Sequence, residues 1–457
     1  MRLSLAALVM SGCLSAAIAA DAPEFALAYR MSQDAERMIG PRSGQARKPT
    51  ATPPPIALPA FAGSRPLFFK LILRQPNEEQ KETGKNYIWM ALDSSRNDNV
   101  YDLLYVDFNY NDDLTDDRPV QGVVSDESGG RMTAFTSLEF AVRGDRGMMS
   151  YHLDVYCHDT DIIRISLLPA CWREGEVVLD GRRYWCQVRD TQANALFDDS
   201  EPSCIKCDAV FLRPITTDQP TPPPSRHFVG KYIEVDGKLY LLNVASAGDR
   251  IQFIPAEPPP TGTVRLEPDV ESISIFGLVG HFTRQVRNGA CEAPLGDYVI
   301  DWFSLARRGS DAATWRLEGL RQKNALLLKV RADSPLELKN LAGPLTSRLD
   351  AVLCDNEYDI QLTVRNPNSN TFHLTRDRQP VVPRVTLTTE DGYKKVLPMT
   401  PNATGWTAHW PRPDNVTQQP ITASVELSGP FAIPTATCVL PTTARAKRFA
   451  MPAPAKP

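Results

Sequence analysis

The stretch EGEVVLDGRRYWCQV, residues 174–188, places Asp180-Gly181 between two runs in which apolar and polar residues alternate. Alternation with a period of two is typical of a half-buried strand. Asp-Gly favours a type I′ turn because both central positions of that turn need positive φ. The stretch therefore predicts a two-stranded β-hairpin.

A second stretch, GKYIEVDGKLYLLNV at residues 230–244, repeats this pattern. Asp236-Gly237 stands in the place of the first Asp-Gly, and Tyr240 stands in the place of Tyr184. The recurrence indicates a repeated hairpin unit, which a duplication would explain. Chance similarity between two hairpins is the alternative.

Short apolar runs rich in aromatic and branched residues, bounded by polar turns, fill most of the chain. Examples are FFKLILR at 68–74, YIWMALD at 87–93 and LLYVDFN at 103–109. Such runs predict strands, and no stretch holds a period of 3.6 for three helical turns. The predicted fold class is all-β, with tandem small β-sandwich or β-hairpin domains and little helix.

Changes in composition divide the chain into six predicted segments. They are a signal peptide (1–20), a Pro-rich flexible lead-in (21–65), a β domain with two acidic EF-type loops (66–213), a second β domain (227–345), a C-terminal β-sandwich (346–441) and a disordered basic tail (442–457).

The N-terminus predicts export from the cytoplasm. Arg2 precedes an apolar run, Leu3 to Met10, and Ala17-Ile18-Ala19 supplies the small residues of a cleavage site. We expect a periplasmic, cell-surface or extracellular protein. The minor alternative is a lipoprotein acylated at Cys13. No later stretch reaches membrane-spanning length.

The charge balance argues against a nucleic-acid partner. The chain has 50 basic and 54 acidic residues, with a formal net charge of -4, whereas nucleic-acid binders normally present a basic face. A cell-surface or polysaccharide ligand is the partner class that suits an exported binding protein, and the partner itself is unknown.

Eight cysteines follow the predicted signal peptide, and an even number in an exported chain predicts disulfides. A bond from Cys186 to Cys204 or Cys207 would brace the acidic loop between them. The alternative is that Cys204-Ile-Lys-Cys207 is a redox or zinc motif. The eight are Cys157, Cys171, Cys186, Cys204, Cys207, Cys291, Cys354 and Cys438.

The first acidic loop, residues 107–118, follows a predicted strand and has the spacing of an EF-type calcium loop. Asp107, Asn109 and Asn111 occupy positions 1, 3 and 5. Position 6 holds Asp112 instead of glycine, and position 12 holds Arg118 instead of glutamate. Asp116 and Asp117 would therefore supply the closing oxygens.

The second acidic loop, residues 190–201, has the same spacing. Asp190, Gln192 and Asn194 stand at positions 1, 3 and 5, Asp198 at position 9 and Glu201 at position 12. Ala195 replaces the glycine. Calcium takes six to eight oxygen ligands, and we predict both loops as calcium sites, although solvated acidic turns are the alternative because Asp and Asn favour turns.

His152, Asp154 and His158 share one face of a predicted strand. They could form a metal cluster, but we interpret them as ordinary surface residues.

Strand, acidic loop and Asp-Gly hairpin recur in a fixed order in YDLLYVDFNYNDDLTDD, VVLDGRRYWCQVRDTQANALFDD and IEVDGKLYLLNV. This order resembles large exported bacterial multidomain β proteins of unassigned function, with D-x-N-x-D-G-x-x-x-D-D loops and D-G-x-x-Y hairpins. The resemblance covers about residues 66 to 300 and concerns architecture rather than activity. Neither loop of this chain has the loop glycine.

The expected function is an exported, non-catalytic binding or structural β protein stabilised by calcium. The alternative is a secreted hydrolase that acts on polysaccharide through paired carboxylates, which have no short local signature. The sequence shows no nucleophile elbow, phosphate loop, dinucleotide fingerprint or His-Glu-x-x-His motif. Catalytic residues and organic cofactors are therefore not predicted.

Overall fold

All regular secondary structure that the structure describes is β-strand, and no described helix is long and apolar enough to cross a membrane. The all-β fold class is confirmed. The computed structural model describes residues 22–31, 44–73, 87–96, 100–127, 130–144, 146–159, 162–200, 207–216, 222–320, 327–341, 343–354, 356–366, 371–402, 405–411 and 420–442.

The chain divides into two compact units. The first comprises Met1–Ser125, Gly130–Pro258 and Leu278–His281, and the second comprises Asp126–Gly129, Pro259–Gly277 and Phe282–Pro457, each over its described residues. The predicted signal peptide, the predicted basic tail beyond residue 442, Cys13 and Cys204 lie outside the described residues.

Eighteen strands precede residue 259. They are β1 (Glu24–Ala26), β2 (Ala28–Met31), β3 (Gln45–Arg47), β4 (Leu67–Ile72), β5 (Tyr87–Asp93), β6 (Leu103–Val106), β7 (Val120–Gln121), β8 (Val123–Glu127), β9 (Gly130–Gly144), β10 (Gly147–Asp159), β11 (Arg164–Pro169), β12 (Cys171–Leu179), β13 (Arg182–Arg189), β14 (Ala209–Pro214), β15 (Ser225–Phe228), β16 (Tyr232–Val235), β17 (Lys238–Val244) and β18 (Arg250–Pro255).

A further eighteen strands follow. They are β19 (Thr261–Arg265), β20 (Val270–Gly277), β21 (Gly280–Gln285), β22 (Ala290–Pro294), β23 (Gly296–Arg308), β24 (Thr314–Leu320), β25 (Leu328–Val330), β26 (Leu336–Glu337), β27 (Thr346–Cys354), β28 (Glu357–Arg365), β29 (Phe372–Arg376), β30 (Gln379–Pro380), β31 (Arg384–Thr388), β32 (Lys394–Pro398), β33 (Thr400–Asn402), β34 (Gly405–Pro411), β35 (Thr422–Val425) and β36 (Ala436–Val439).

Both predicted Asp-Gly hairpins form. β12 pairs with β13 and β16 pairs with β17, each antiparallel. The turn residues have positive φ as a type I′ turn requires, 50° and 77° at Asp180-Gly181 and 48° and 76° at Asp236-Gly237.

The two hairpins hold each other through matching ion pairs at their turns. Arg182 pairs with Asp236, and Lys238 pairs with Asp180. Because Lys238 occupies in its hairpin the place of Arg182, each hairpin supplies one cation and one carboxylate. A shared core lies beneath and includes Val177, Tyr184, Cys186, Ile233, Tyr240 and Leu242.

A second core in the first unit supports the acidic loops. It draws on the sheet β3-β11-β10-β9-β8 and on the sheet β4-β5-β6-β7. Its buried residues include Phe69, Ile88, Leu104, Phe135, Tyr151, Ile165 and, from the second acidic loop, Ala193 and Ala195.

Most of the predicted flexible lead-in is built into the fold, which corrects that part of the sequence interpretation. β1 pairs with β18, β2 with β12 and β3 with β11. The Pro-rich part is anchored because Ile56, Leu58 and Phe61 pack against buried residues of β4 to β6. High proline content alone does not reveal such apolar anchors.

The second unit contains several smaller sheets. Five of its strands are hydrogen-bonded in the order β20-β23-β24-β29-β30, and a three-stranded sheet runs β22-β19-β26. Residues 346–439 form two four-stranded sheets, β27-β28-β34-β33 and β32-β31-β35-β36, and β27 contacts β36.

Candidate functional site

The first loop begins directly after β6, where the Asp107 carboxylate organises the backbone. Asp107 is 1% exposed. Its Oδ1 accepts the Asn111 N–H at 2.9 Å, and its Oδ2 accepts the Asp112 N–H at 3.1 Å. These are the amides of positions 5 and 6, so the first residue of the loop fixes the turn that follows.

Asp116 closes the first loop. The side-chain amides of Asn109 and Asn111 both donate to Asp116 Oδ2, at 3.0 and 2.8 Å. The amide oxygen of Asn111 accepts the Asp113 N–H at 2.8 Å, which directs the amino group of that side chain towards Asp116. All three side chains of the closure are exposed.

The second loop follows β13 and repeats the opening bonds. Asp190 Oδ2 accepts the Asn194 N–H at 2.9 Å and the Ala195 N–H at 2.8 Å, again positions 5 and 6. It also repeats the closure, because Gln192 and Asn194 donate their side-chain amides to Asp199 Oδ2 at 2.7 and 2.6 Å.

The backbones of the two loops agree as well. Positions 4 and 6 have positive φ in both, 66° and 61° at Tyr110 and Asp112, and 54° and 66° at Ala193 and Ala195. The loop conformation therefore forms without the usual glycine, at a strain of about 1 kcal/mol for each such residue.

The apolar residue at position 8 anchors each loop. Leu114 is fully buried and Phe197 is 1% exposed. Each packs in a different core cluster of the first unit.

The surroundings of the position 1 carboxylates differ. Asp190 receives two further bonds, from the Gln192 N–H at 2.7 Å and from the hydroxyl of the buried Tyr151 at 2.8 Å. Burial raises the pKa of Asp190 to about 6, although these hydrogen bonds act in the opposite direction.

Asp208, the residue before β14, braces the second loop. The Asp208 carboxylate is fully buried and accepts the Thr191 N–H at 2.9 Å and the Asp199 N–H at 2.8 Å. Each end of the second loop is thereby tied to the same side chain.

The first loop instead brings three carboxylates close together. Burial and the neighbouring carboxylates Asp116 and Asp107 raise the pKa of Asp117 to about 6. Asp117 Oδ2 is inaccessible to water and has no hydrogen-bond partner among the described residues. A cation at this point would relieve the repulsion.

The predicted ligands are brought together in part. Positions 1, 3 and 5 converge in both loops, and Asp116 and Asp117 lie where the first loop closes. In the second loop the closing carboxylate is Asp199, which the sequence analysis missed, rather than Asp198. Glu201 lies outside the described residues. Within the described part of the chain, no three His, Cys, Asp or Glu side chains are grouped as a metal site.

The disulfide prediction is wrong for Cys186 and Cys207, both of which are free and buried. Thr191 Oγ1 donates to the Cys207 carbonyl at 2.8 Å, so Cys207 lies level with Thr191. Cys186 is about 16 Å away at ~3.3 Å per strand residue, whereas a disulfide needs Cα atoms within about 7 Å. The other described free cysteines are Cys157, Cys171, Cys291 and Cys438.

The interpretation of His152 and Asp154 as surface residues is also wrong. They are 8% and 2% exposed. Asp154 lies on the strand face opposite the buried Leu153 and Val155, and at a bulge in the β9–β10 pairing it accepts the Ser137 N–H at 2.7 Å. His152 Nδ1 shares a hydrogen bond with the Tyr29 hydroxyl. Neither belongs to a metal cluster, and His158 is half-buried beside Ser166.

A cleft of about 390 Å³ lies in the second unit at one end of β31 and β35. Its lining includes Arg384 and a single carboxylate, Glu426. The hydrolase alternative requires two carboxylates flanking the substrate, and this cleft does not supply them.

Comparison with protein-family models, with curated proteins and with solved structures finds no match for this chain.

Proposed function

We propose that this protein is an exported, non-catalytic binding or structural β protein of the class that its sequence resembles, and that its first loop holds a stabilising calcium ion. The N-terminal pattern of residues 1–20 supports export. The all-β architecture, with loops braced on strands, suits a rigid structural or binding role.

The charge distribution in the first loop carries the calcium proposal. Asp107, Asp116 and Asp117 are close enough for each of the first two to raise the pKa of the third. Closely spaced carboxylate and amide oxygens are the type of ligand that calcium selects. Because Asn109 and Asn111 are exposed, their amides can turn an oxygen towards an ion while water takes over their present bonds.

In the second loop, hydrogen bonds stabilise the negative charge of the carboxylates. Asp190, Asp199 and Asp208 are buried and accept the N–H and O–H donors described above. We propose that this loop closes without an ion. The sequence also predicted a calcium site in this loop. The experiment below therefore tests that prediction as well, for the ligands Asp190, Gln192, Asn194, Asp198 and Glu201.

Thermal melts with EDTA and with 1 mM calcium test the proposal. For a calcium dissociation constant of about 10 μM, 1 mM is about a hundredfold excess. We expect calcium to raise the Tm by about 5 °C or more. Asp117→Asn should abolish most of this shift, because it removes a carboxylate from the closing side of the first loop.

Asp198→Asn is the control in the second loop, where it removes a ligand that the sequence predicts, and it should keep the full calcium shift. A Tm that calcium leaves unchanged, or a shift that survives Asp117→Asn and disappears in Asp198→Asn, would overturn the assignment to the first loop. Calcium titration by calorimetry, with a stoichiometry of one, gives the same answer without unfolding the protein.

Export is tested separately by expressing the full chain and determining the N-terminus of the product outside the cytoplasm. We expect loss of residues 1–20. Retention of an uncleaved chain in the cytoplasm would contradict the export proposal without bearing on calcium.

A further inference from the structure

Residues 22–31, here called the strap, pair with two sheets at once. β1 of the strap adds to the edge strand β18, and β2 adds to the edge strand β12, both antiparallel. Between them Leu27 donates its N–H to the Asp249 carbonyl at 2.7 Å. One continuous segment therefore covers the edges of two sheets of the first unit.

Polar contacts make the seat of the strap specific for this sequence. Arg30 Nε donates to Glu174 Oε1 at 2.8 Å, and the Glu174 side chain is fully buried. At the other end Arg250 pairs with Glu24 at 3.1 Å. Opposite charges at the two ends of the strap thus meet opposite charges on β12 and β18.

The strap contributes one buried residue to the core that it covers, and Phe25 and Tyr29 pack against the core clusters of the first unit from partly buried positions. Leu27 is the strap residue that is buried, at 4% exposure, whereas the residues of β1 and β2 are half-buried or exposed. Segments of this kind open locally at a lower cost than the strands beneath them. Opening would expose unpaired N–H and C=O groups along β12 and β18, which are templates for another strand.

We propose that the strap exchanges between copies, so that the strap of one chain seats on β12 and β18 of a second chain. A second copy fits because the seat matches this sequence in charge: Arg30 pairs with the buried Glu174, and Glu24 pairs with Arg250. Exchange keeps every strap contact and changes only which chain supplies it. The inference rests on the proposed structural role, for which it supplies a mode of assembly.

Mixtures of full-chain variants that each carry one added cysteine test the exchange. Glu24 and Gln252 are direct cross-strand partners, at a separation suited to a disulfide. Glu24→Cys with one affinity tag and Gln252→Cys with another are mixed and oxidised gently. We expect a disulfide-linked heterodimer whose yield rises at least severalfold with a tenfold rise in protein concentration.

Two controls establish whether the heterodimer arises from strap exchange. The double variant Glu24→Cys/Gln252→Cys should form its disulfide within one chain at low concentration, which shows that the geometry permits the bond. Glu24→Cys mixed with Val178→Cys, an exposed position on β12 with no strap partner, should give only background dimer.

Arg30→Ala weakens the seat and should speed heterodimer formation severalfold in the mixture of Glu24→Cys and Gln252→Cys chains. A heterodimer yield no higher than the Val178→Cys background, while the double variant closes within its own chain, would overturn the proposal. The experiment is run in EDTA, so its result does not depend on whether the first loop binds calcium.

Discussion

The first and second loops share one backbone and one set of internal bonds but lie in different surroundings. Asp116 closes the first loop in contact with water, whereas Asp199 closes the second loop in the interior. Loop conformation and ion binding, which a calcium motif combines, therefore have separate causes in this protein. The position 1 carboxylate and the apolar position 8 determine the loop conformation, and the local burial and charge determine whether an ion would add stability.

The largest expected difference lies at position 1. Asp190→Ala removes the acceptor for four donors in the interior, so we expect a loss of about 3 kcal/mol or more in the free energy of unfolding. Asp107→Ala should cost about 1 to 2 kcal/mol because the first loop is more open to water. Urea unfolding of both variants checks the ranking, and equal losses would break the comparison.

The pH dependence of stability should report Asp190. Its pKa of about 6 in the folded protein exceeds the ordinary value of about 3.9. Between these values a folded chain holds more of the Asp190 proton than an unfolded chain, so the contribution of Asp190 to stability is greatest at low pH and falls as pH rises from about 4 to 6, by up to about 3 kcal/mol.

Asp190→Asn should flatten this part of the profile. Asp117 contributes in the same direction, but more weakly because it is partly solvated. A profile that is unchanged in Asp190→Asn, measured by urea unfolding at several pH values with EDTA present, would show that the second loop is not the source.

Tyr151→Phe tests whether a distant strand stabilises the second loop. The substitution removes one buried hydrogen bond, so we expect a loss of about 1 to 2 kcal/mol and a higher pKa for Asp190, because a bond that stabilises the carboxylate is gone. Tyr110→Phe is the matched control in the first loop, where the hydroxyl donates instead to the Ala141 carbonyl at 2.8 Å, and it should leave the pH profile unchanged.

The smallest expected effects concern position 6. Asp112→Gly should stabilise the first loop by about 0.5 to 1 kcal/mol because glycine adopts positive φ without strain. Ala195→Gly should be nearly neutral, since the same relief is offset by loss of a buried methyl group worth about 0.8 kcal/mol. Denaturant midpoints of the two variants measure the difference, and a larger gain at Ala195 would contradict this reading.

Local sequence patterns predicted the parts of the fold that depend on neighbouring residues. Asp-Gly located two turns, and the spacing of Asp107, Asn109 and Asn111 located a loop. The contributions of Tyr151 and Asp208 to the second loop come from other strands, so no local spacing reveals them. The position of Cys186 along β13 also depends on the register with β14, which spacing between cysteines does not specify.

The strap and the bulge were missed for a related reason. Residues 22–31 are too short to show a strand by periodicity, and their pairing with β12 and β18 joins parts of the chain far apart in sequence. Asp154 lies in a regular alternating run, but Ser137 on the neighbouring strand has a φ of 57° and shifts the register. Parity along one strand cannot report an irregularity of its partner.

The paired hairpins have a consequence beyond their two ion pairs. Since Arg182 meets Asp236 and Lys238 meets Asp180, the contact follows the rule of an isologous interface, in which residue i meets j and j meets i. One hairpin with this pattern is therefore self-complementary. Within one chain, the two hairpins make this contact with each other. Two identical chains could make the same contact across a two-fold axis, with one hairpin from each chain.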